Sequence, residues 1–287
     1  MEFYFSALLL GLAFCSMGFG IYISLRIFNI PDITTDGSYT LGAAVTATLL
    51  TKGISLPIIL LVTIFSGALA GAVTGIIHTR LRIQPLLAGI LVMTSLYSVN
   101  LSIMGRSNIP LIGTTHIENI FPFIQQDNLQ WLGVFLVFMI VLLAILSWLL
   151  KTDFGVAMRA TGNSEMMVRA LGVNTQNMKV IGLAMANALT AVSGFLVCQF
   201  QQFSDINMGI GIVIFGLGSV MMGEAFFSIL KSQSIVLRLL SVVLGCIVFR
   251  MIIALALTLG VNPNWLKLVT AAIVLVVVGI PNLKKAS

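Results

Sequence analysis

The chain is short of charge. Only 8% of its 287 residues are Asp, Glu, Lys or Arg, against about 25% in an average soluble domain. That scarcity excludes an ordinary water-soluble globular protein. Histidine is scarcer still: His78 and His116 are the two present, both between apolar runs. No H-E-x-x-H occurs, so two zinc ligands and a base cannot share one helix face. Cys15, Cys198 and Cys246 each stand inside an apolar run without C-x-x-C spacing, which suits small core residues better than metal ligands or disulfides. No phosphate-binding glycine loop is present, so the chain has no ATP-hydrolysing machinery of that type. Ser219 lies among glycines in Gly216-Leu217-Gly218-Ser219-Val220, but this is not G-x-S-x-G, and no histidine in an apolar run serves as its base. The net charge of +6 is spread between apolar segments with no run long enough to track a nucleic-acid backbone. No catalytic group, metal or cofactor is expected.

What the chain has in abundance is apolar sequence: 59% hydrophobic residues and a mean hydropathy of +1.10. This predicts an all-α, polytopic integral membrane bundle in the lipid bilayer. A span needs roughly 20 apolar residues. The expected segments are 5–25, 32–50, 56–77, 85–104, 131–150, 181–199, 209–224, 235–259 and 266–280, about nine in all. Glu2 stands where a signal peptide would be basic, so the first is expected to be retained as a span. The second is broken by Pro31 and Gly37 and is either a short span or a re-entrant element. Gly67, Gly71 and Gly75 share one face of the third, marking either a subunit seam or packing within the bundle. The whole chain reads as one transmembrane domain with an outer loop at 105–130 and an inner loop at 151–180.

With nine alternating segments, Arg26, Arg80, Arg82, Lys151, Arg159, Arg169, Lys179, Lys231, Arg238, Lys284 and Lys285 fall on one side, and Lys52, Arg106 and Lys267 on the other. Cytoplasmic loops carry the excess of basic residues. The N-terminus is therefore expected outside and the C-terminus in the cytoplasm. Arg250 is left inside a span.

The longest polar interval is 155–179. Within it, Asn163 or Ser164 can cap a short helix, Glu165 sits in its first turn and Gly172 ends it. Met166 and Ala170, and Met167 and Leu171, are four apart and form an apolar face. The element is either a helix that docks on another protein or an ordinary cytoplasmic loop. A solute path needs polar groups inside the bundle. Candidates are Asp36, Gly37, Ser38, Tyr39 and Thr40, then Asn100 and Asn187, and Gln199, Gln201 and Asp205 toward the outer end. Each could instead make an interhelical hydrogen bond that only supports packing. Arg250 either pairs with Glu224 or lines the path, because a cation in a span needs a partner or a cavity.

Three blocks carry a resemblance: Pro31-Asp32-Ile33-Thr34-Thr35-Asp36-Gly37-Ser38 with Leu41-Gly42-Ala43-Ala44; Arg159-Ala160-Thr161-Gly162-Asn163 through Arg169-Ala170-Leu171-Gly172-Val173; and Asp205-Ile206-Asn207-Met208-Gly209-Ile210-Gly211 through Gly223-Glu224-Ala225. Over most of its length the chain resembles the membrane permeases of bacterial ABC importers, in the group that includes branched-chain amino acid and ribose-type permeases. It is most similar to a subgroup of which some members are associated with tryptophan or tyrosine uptake. The resemblance implies a bacterial inner-membrane homodimer, two cytoplasmic ATPase subunits and an extracytoplasmic solute-binding protein. It implies that Thr161, Gly162, Asn163, Ser164, Glu165, Met166, Met167, Arg169, Ala170, Leu171 and Gly172 couple to the ATPase. The expected solute is an amino acid. A sugar or nucleoside permease, and a self-sufficient carrier or channel, are the alternatives.

Overall fold

The computed structural model describes residues 2–112, 127–227 and 234–286. It is a helical bundle. In chain order the helices are α1 (Glu2–Ile21), α2 (Thr34–Thr51), α3 (Leu56–Arg80), α4 (Pro85–Met104), α5 (Asp127–Lys151), α6 (Asp153–Asn163), α7 (Glu165–Ala170), α8 (Thr175–Gln201), α9 (Ile212–Phe227), α10 (Ile235–Thr258) and α11 (Leu266–Ala286). By length and composition, six described stretches can cross a membrane: Glu2–Ile27, Leu56–Arg80, Pro85–Met104, Asn128–Lys151, Thr175–Gln201 and Ile235–Thr258. Shorter apolar helices cover Ile212–Ala225 and Pro263–Val277. The remaining segment expected to cross is α2, 18 residues long and more polar than its neighbours.

The break near the N-terminus lies upstream of where Gly37 suggested. α1 continues into a π-helical turn at Tyr22–Ile27. The chain then leaves helical geometry through Asn29, at φ +55, and through Pro31, which has no N–H for an intrahelical bond. Gly37 is inside α2 and buried. Its missing side chain makes room for α4: a Cβ there would lie 2.9 Å from Leu96 Cδ1 and 3.3 Å from Met93 Cα. The glycine thus serves close packing, and the segment is a continuous helix rather than a broken one. Proline opens α3 and α4 within their first turn, where its missing N–H costs nothing. Gly105, at φ +66, closes α4 by donating its N–H to Leu101 O at 2.8 Å.

α2 is the middle of the bundle. Fifteen of its 18 residues are buried, against α3, α4 and α8. α3 and α8 touch backbone to backbone along the Gly67, Gly71 and Gly75 face: a Cβ at Gly71 would lie 2.1 Å from Leu183 O. That glycine ladder packs within the chain. α1 is enclosed by α5, α8, α9 and α10. The outward faces of α3 and α5 are apolar, with Leu61, Phe65 and Leu69 on one and Ile140, Val141 and Ile145 on the other, as suits contact with lipid.

Two short strands, β1 (Asn108–Pro110) and β2 (Phe203–Asp205), pair antiparallel with Asn108 opposite Asp205. They clamp the segment after α4 to the segment after α8. Most of the expected 105–130 loop, including Glu118, lies outside the described residues.

The α3–α8 contact generates a stability prediction. Gly71→Val has to displace the Leu183 carbonyl, and overpacking of this kind costs about 1–3 kcal/mol or more. Nothing lies within 4 Å of a Cβ at Gly133 in α5, so Gly133→Ala is the control. In detergent, the Gly71→Val protein should unfold at a clearly lower temperature than the Gly133→Ala protein. Equal midpoints would contradict the packing described.

Candidate functional site

One end of the bundle is built around α6 and α7. The interval expected to be mostly loop is largely helical, because Thr152 accepts a hydrogen bond from Gly155 N and caps α6 as a second amphipathic helix. Thr161 is buried and donates to Ala157 O at 2.7 Å. Gly162 faces inward: a Cβ there would lie 1.6 Å from Ile27 O, and its own carbonyl accepts from Asn29 Nδ2 at 3.1 Å. These two residues seat α6 on the break that follows α1. Ser164 occupies the cap position of α7 in extended geometry, without a side-chain capping bond, and Asn163 is the last residue of α6. Gly172, at φ +84, ends the turn, with its N–H donated to Arg169 O at 3.0 Å.

The exposed face of α7 is apolar. Met166, Met167 and Leu171 are 86%, 66% and 73% exposed, whereas Val168 is 4% exposed and anchors the opposite face. Glu165 fixes the helix to α8. Its carboxylate accepts from Lys179 Nζ, from Arg169 Nη2 at 2.8 Å and from Thr175 Oγ1 at 3.0 Å. Lys179 and Thr175 belong to α8; the sequence marked Lys179 only as one of the basic residues of the 155–179 interval and did not single out Thr175. The hydrogen bond from Lys179, reinforced by its charge, by Thr175 and by Arg169, holds the Glu165 carboxyl below the usual glutamate range despite the opposing effect of partial burial.

Deeper in the bundle the polar side chains are largely satisfied by one another. Asp32 Oδ1 accepts from Thr34 N at 2.9 Å and Oδ2 from Asn187 Nδ2 at 2.7 Å. Asn187 Oδ1 accepts from Ser38 Oγ at 2.7 Å. All four residues are buried, and together they tie the segment before α2, α2 itself and α8. Asp32 was not among the candidate site residues, although it lies in the first block. Asp36 does something its sequence position does not reveal. From the first turn of α2 it caps α9: Gly211 N donates to Oδ2 at 2.9 Å and Val213 N to Oδ1 at 2.8 Å. A carboxylate there complements the positive end of the helix dipole. Gly209 permits the approach, since a Cβ would lie 2.1 Å from Asp36 O.

Asn100, 1% exposed, donates from Nδ2 to Gly37 O at 3.2 Å. Gln199 is fully buried in α8. Tyr39 is buried and stacked on Phe14, ring centroids 6.0 Å apart, and the Arg250 guanidinium lies 5.4 Å from the centroid of that same Phe14 ring. Of the two readings of Arg250, the pair with Glu224 does not form. Glu224 pairs with Arg26 instead, because the end of α9 lies beside the end of α1 and Arg250 is further along α10. Arg250 rests on an aromatic face, an attraction worth about 0.5–2 kcal/mol.

Comparison with known proteins fits this architecture. The chain belongs to the family described as the permease component of branched-chain amino acid transport systems, which matches residues 3–279. It is therefore a membrane permease of the ABC-importer class. It is 38% identical over 267 residues to the tyrosine transport system permease protein of Clostridioides difficile (strain R20291), covering 93% of this chain and 87% of that one. It is 32% identical over 258 residues to the uncharacterized protein RP368 of Rickettsia prowazekii (strain Madrid E), 90% of each chain. It is 28% identical over 263 residues to the galactofuranose transporter permease protein YtfT of Escherichia coli (strain K12), covering 86% of this chain and 70% of that one. No solved structure matches.

Two predictions rest on these contacts. The folded Glu165 carboxyl has the lower pKa, so its stabilisation is complete above the ordinary glutamate value and is lost as pH falls through the depressed one. Amide exchange in 164–172 should accelerate on acidification through that window, and Glu165→Gln should remove the dependence; a flat wild-type profile would contradict it. Separately, Asp36→Ala should destabilise the purified protein by about 1–2 kcal/mol through loss of the α9 cap, with the faster exchange centred on 211–215. Unchanged exchange there would refute the capping role.

Proposed function

We propose that the chain is the permease subunit of an ATP-driven amino acid importer. It works as a homodimer with two cytoplasmic ATPase subunits and an extracytoplasmic solute-binding protein, in the inner membrane of a bacterium. The observation that carries this is α7. A six-residue helix that exposes Met166 and Met167, with Leu171 exposed at its C-cap, and that is braced to the following span by the Glu165–Lys179 ion pair, has the form of a docking element rather than a solvated loop. Arg26, Arg159, Arg169 and Lys179 lie in or beside the same end of the bundle, the end with the greater share of basic residues. That end is cytoplasmic in this reading, and the nine segments α1–α5 and α8–α11 cross the membrane, with the N-terminus outside. The chain is a single permease domain, and 105–130 serves the binding protein.

ATP binding in the partner moves α7. The motion reaches the bundle through Gly162 against Ile27 and Asn29, and through Glu165 against α8. The network of Asp32, Ser38 and Asn187 ties those elements to α2, and Asp36 ties α2 to α9. Asn100, Tyr39, Gln199 and Arg250 are the other polar groups available to a path. An amino acid is favoured over a sugar because the tyrosine permease is the more similar relative by ten points of identity, 38% against 28%.

Proteoliposomes holding the chain, its ATPase and its binding protein should take up L-tyrosine or another amino acid only with ATP inside the ATPase compartment. Leu171→Asp should cut that uptake at least tenfold while the protein still inserts and keeps its thermal midpoint, since Leu171 is exposed. Uptake driven by an ion gradient with the chain alone would overturn the proposal.

A further inference from the structure

One span carries a charge that has no counter-ion among the described residues. Arg250 lies in α10, about two turns before its end at Thr258. It stands in the middle of the helix face that looks into the bundle. Leu239, Val243, Cys246 and Ala254 share that face and are all buried, whereas Leu244 and Leu255 on the opposite face are exposed. Arg250 is nevertheless only partly buried. A side chain in the centre of a buried face that keeps accessible surface borders an opening inside the bundle, not the lipid.

Phe14 defines the place. The guanidinium lies 5.4 Å from the centroid of its ring, and the same ring meets Tyr39 of α2 and Phe215 of α9. Arg250 is therefore found where α1, α2, α9 and α10 converge. Gly11 of α1 leaves room beside the root of the side chain, since a Cβ there would lie 3.5 Å from Arg250 Cβ. Among the described residues Arg250 makes no hydrogen bond and no ion pair. The carboxylates inside the bundle are engaged elsewhere: Asp32 with Thr34 and Asn187, Asp36 with the amides of Gly211 and Val213, and Glu224 with Arg26.

A cation at membrane depth is costly, and such residues face a partner or a solute path. The aromatic contact attracts the charge but supplies no lone-pair acceptor, so the five N–H donors of the guanidinium remain to be met. Those donors form a rigid planar fork that matches a carboxylate through two parallel hydrogen bonds. Phe14, Phe215 and Phe249 are buried beside it, and apolar walls of this kind strengthen a charge pair by keeping water away. The site suits a carboxylate that arrives through the interior of the bundle.

We propose that Arg250 is the carboxylate-binding residue of the solute path, its guanidinium pairing with the carboxylate of the solute as it passes the convergence of α1, α2, α9 and α10. The assignment rests on the permease reading above and deepens it. A solute that bears a carboxylate supplies the missing counter-ion in transit. A neutral sugar cannot, which makes Arg250 a selectivity residue for acids.

Solid-state magnetic resonance tests it. The chain is made with isotope-labelled arginine guanidinium nitrogens and assembled in lipid vesicles with unlabelled ATPase and binding protein. L-tyrosine and acetate, each labelled at the carboxyl carbon, are the probes. Both should show carbon–nitrogen dipolar coupling at salt-bridge distance, and a share of it should vanish in Arg250→Lys, whose lysine carries no label. Unlabelled desaminotyrosine, which keeps the carboxylate, should displace L-tyrosine from that share; tyramine, which lacks it, should not. Coupling unchanged in Arg250→Lys, coupling of Arg250 to lipid phosphorus instead, or equal displacement by tyramine would overturn the subsite. In the same vesicles Arg250→Gln should cut ATP-dependent L-tyrosine uptake at least tenfold, with a thermal midpoint no lower than wild type. A lower midpoint with undiminished uptake would show that Arg250 only supports packing. Wild-type uptake without any coupling that depends on Arg250 removes the subsite alone. Coupling that depends on Arg250 without ATP-driven amino acid uptake supports the carboxylate subsite and removes the importer reading instead.

Discussion

Backbone contact between α8 and its two neighbours is the constraint on which the rest depends. Hydrophobic burial does not drive helices together in lipid, since the tails are as apolar as leucine; close packing and polar contacts do so. Gly71 brings α3 onto Leu183, and Gly42 brings α2 onto Ala191, each with no room for a Cβ. Only at that separation can Ser38 reach Asn187, and Asn187 reach Asp32. A side chain at either glycine would separate the helices and expose polar groups to hydrocarbon. Packing and polar satisfaction are one event here.

From that centre the structure extends toward both ends by different means. On the side of α6 and α7, the connection is again a glycine, Gly162 on Ile27, followed by a charged brace at Glu165. On the opposite side, the β1–β2 pair joins the loops after α4 and α8, and Asp36 takes the start of α9. A displacement of α7 therefore has a continuous covalent and hydrogen-bonded route to the elements around Asn100 and Gly209.

The positions of the helices were legible in advance to within a few residues, since a membrane span is a property of local composition. The apolar face of α7 was legible too, because four-residue spacing needs no knowledge of neighbours. Gly37 was misread as a break, and of the two readings left open for Arg250 the sequence could not exclude the pairing with Glu224 that the structure gives to Arg26. Glycine signals a break or a close contact with equal force in a sequence, and only the presence of α4 beside it decides. Glu224 is nearer Arg250 along the chain than Arg26 is, but chain distance carries no weight once α1 and α9 end side by side. The helical character of 153–163 was missed because polar residues alternate there with small ones, and the Thr152 cap is a local signal that could have found it.

The amino-acid sequence by itself determined that this protein is a helical membrane bundle with no catalytic motif and with a short amphipathic element between two long apolar segments. Those properties follow from composition and period. The tertiary structure alone decided the roles of the buried polar residues: Asp36 caps a helix 175 residues away, Asn187 closes a network, and Asn100 donates to the Gly37 carbonyl. Whether a buried polar atom supports packing or awaits a ligand depends on which partners surround it, and those partners come from helices that meet only when the bundle is assembled.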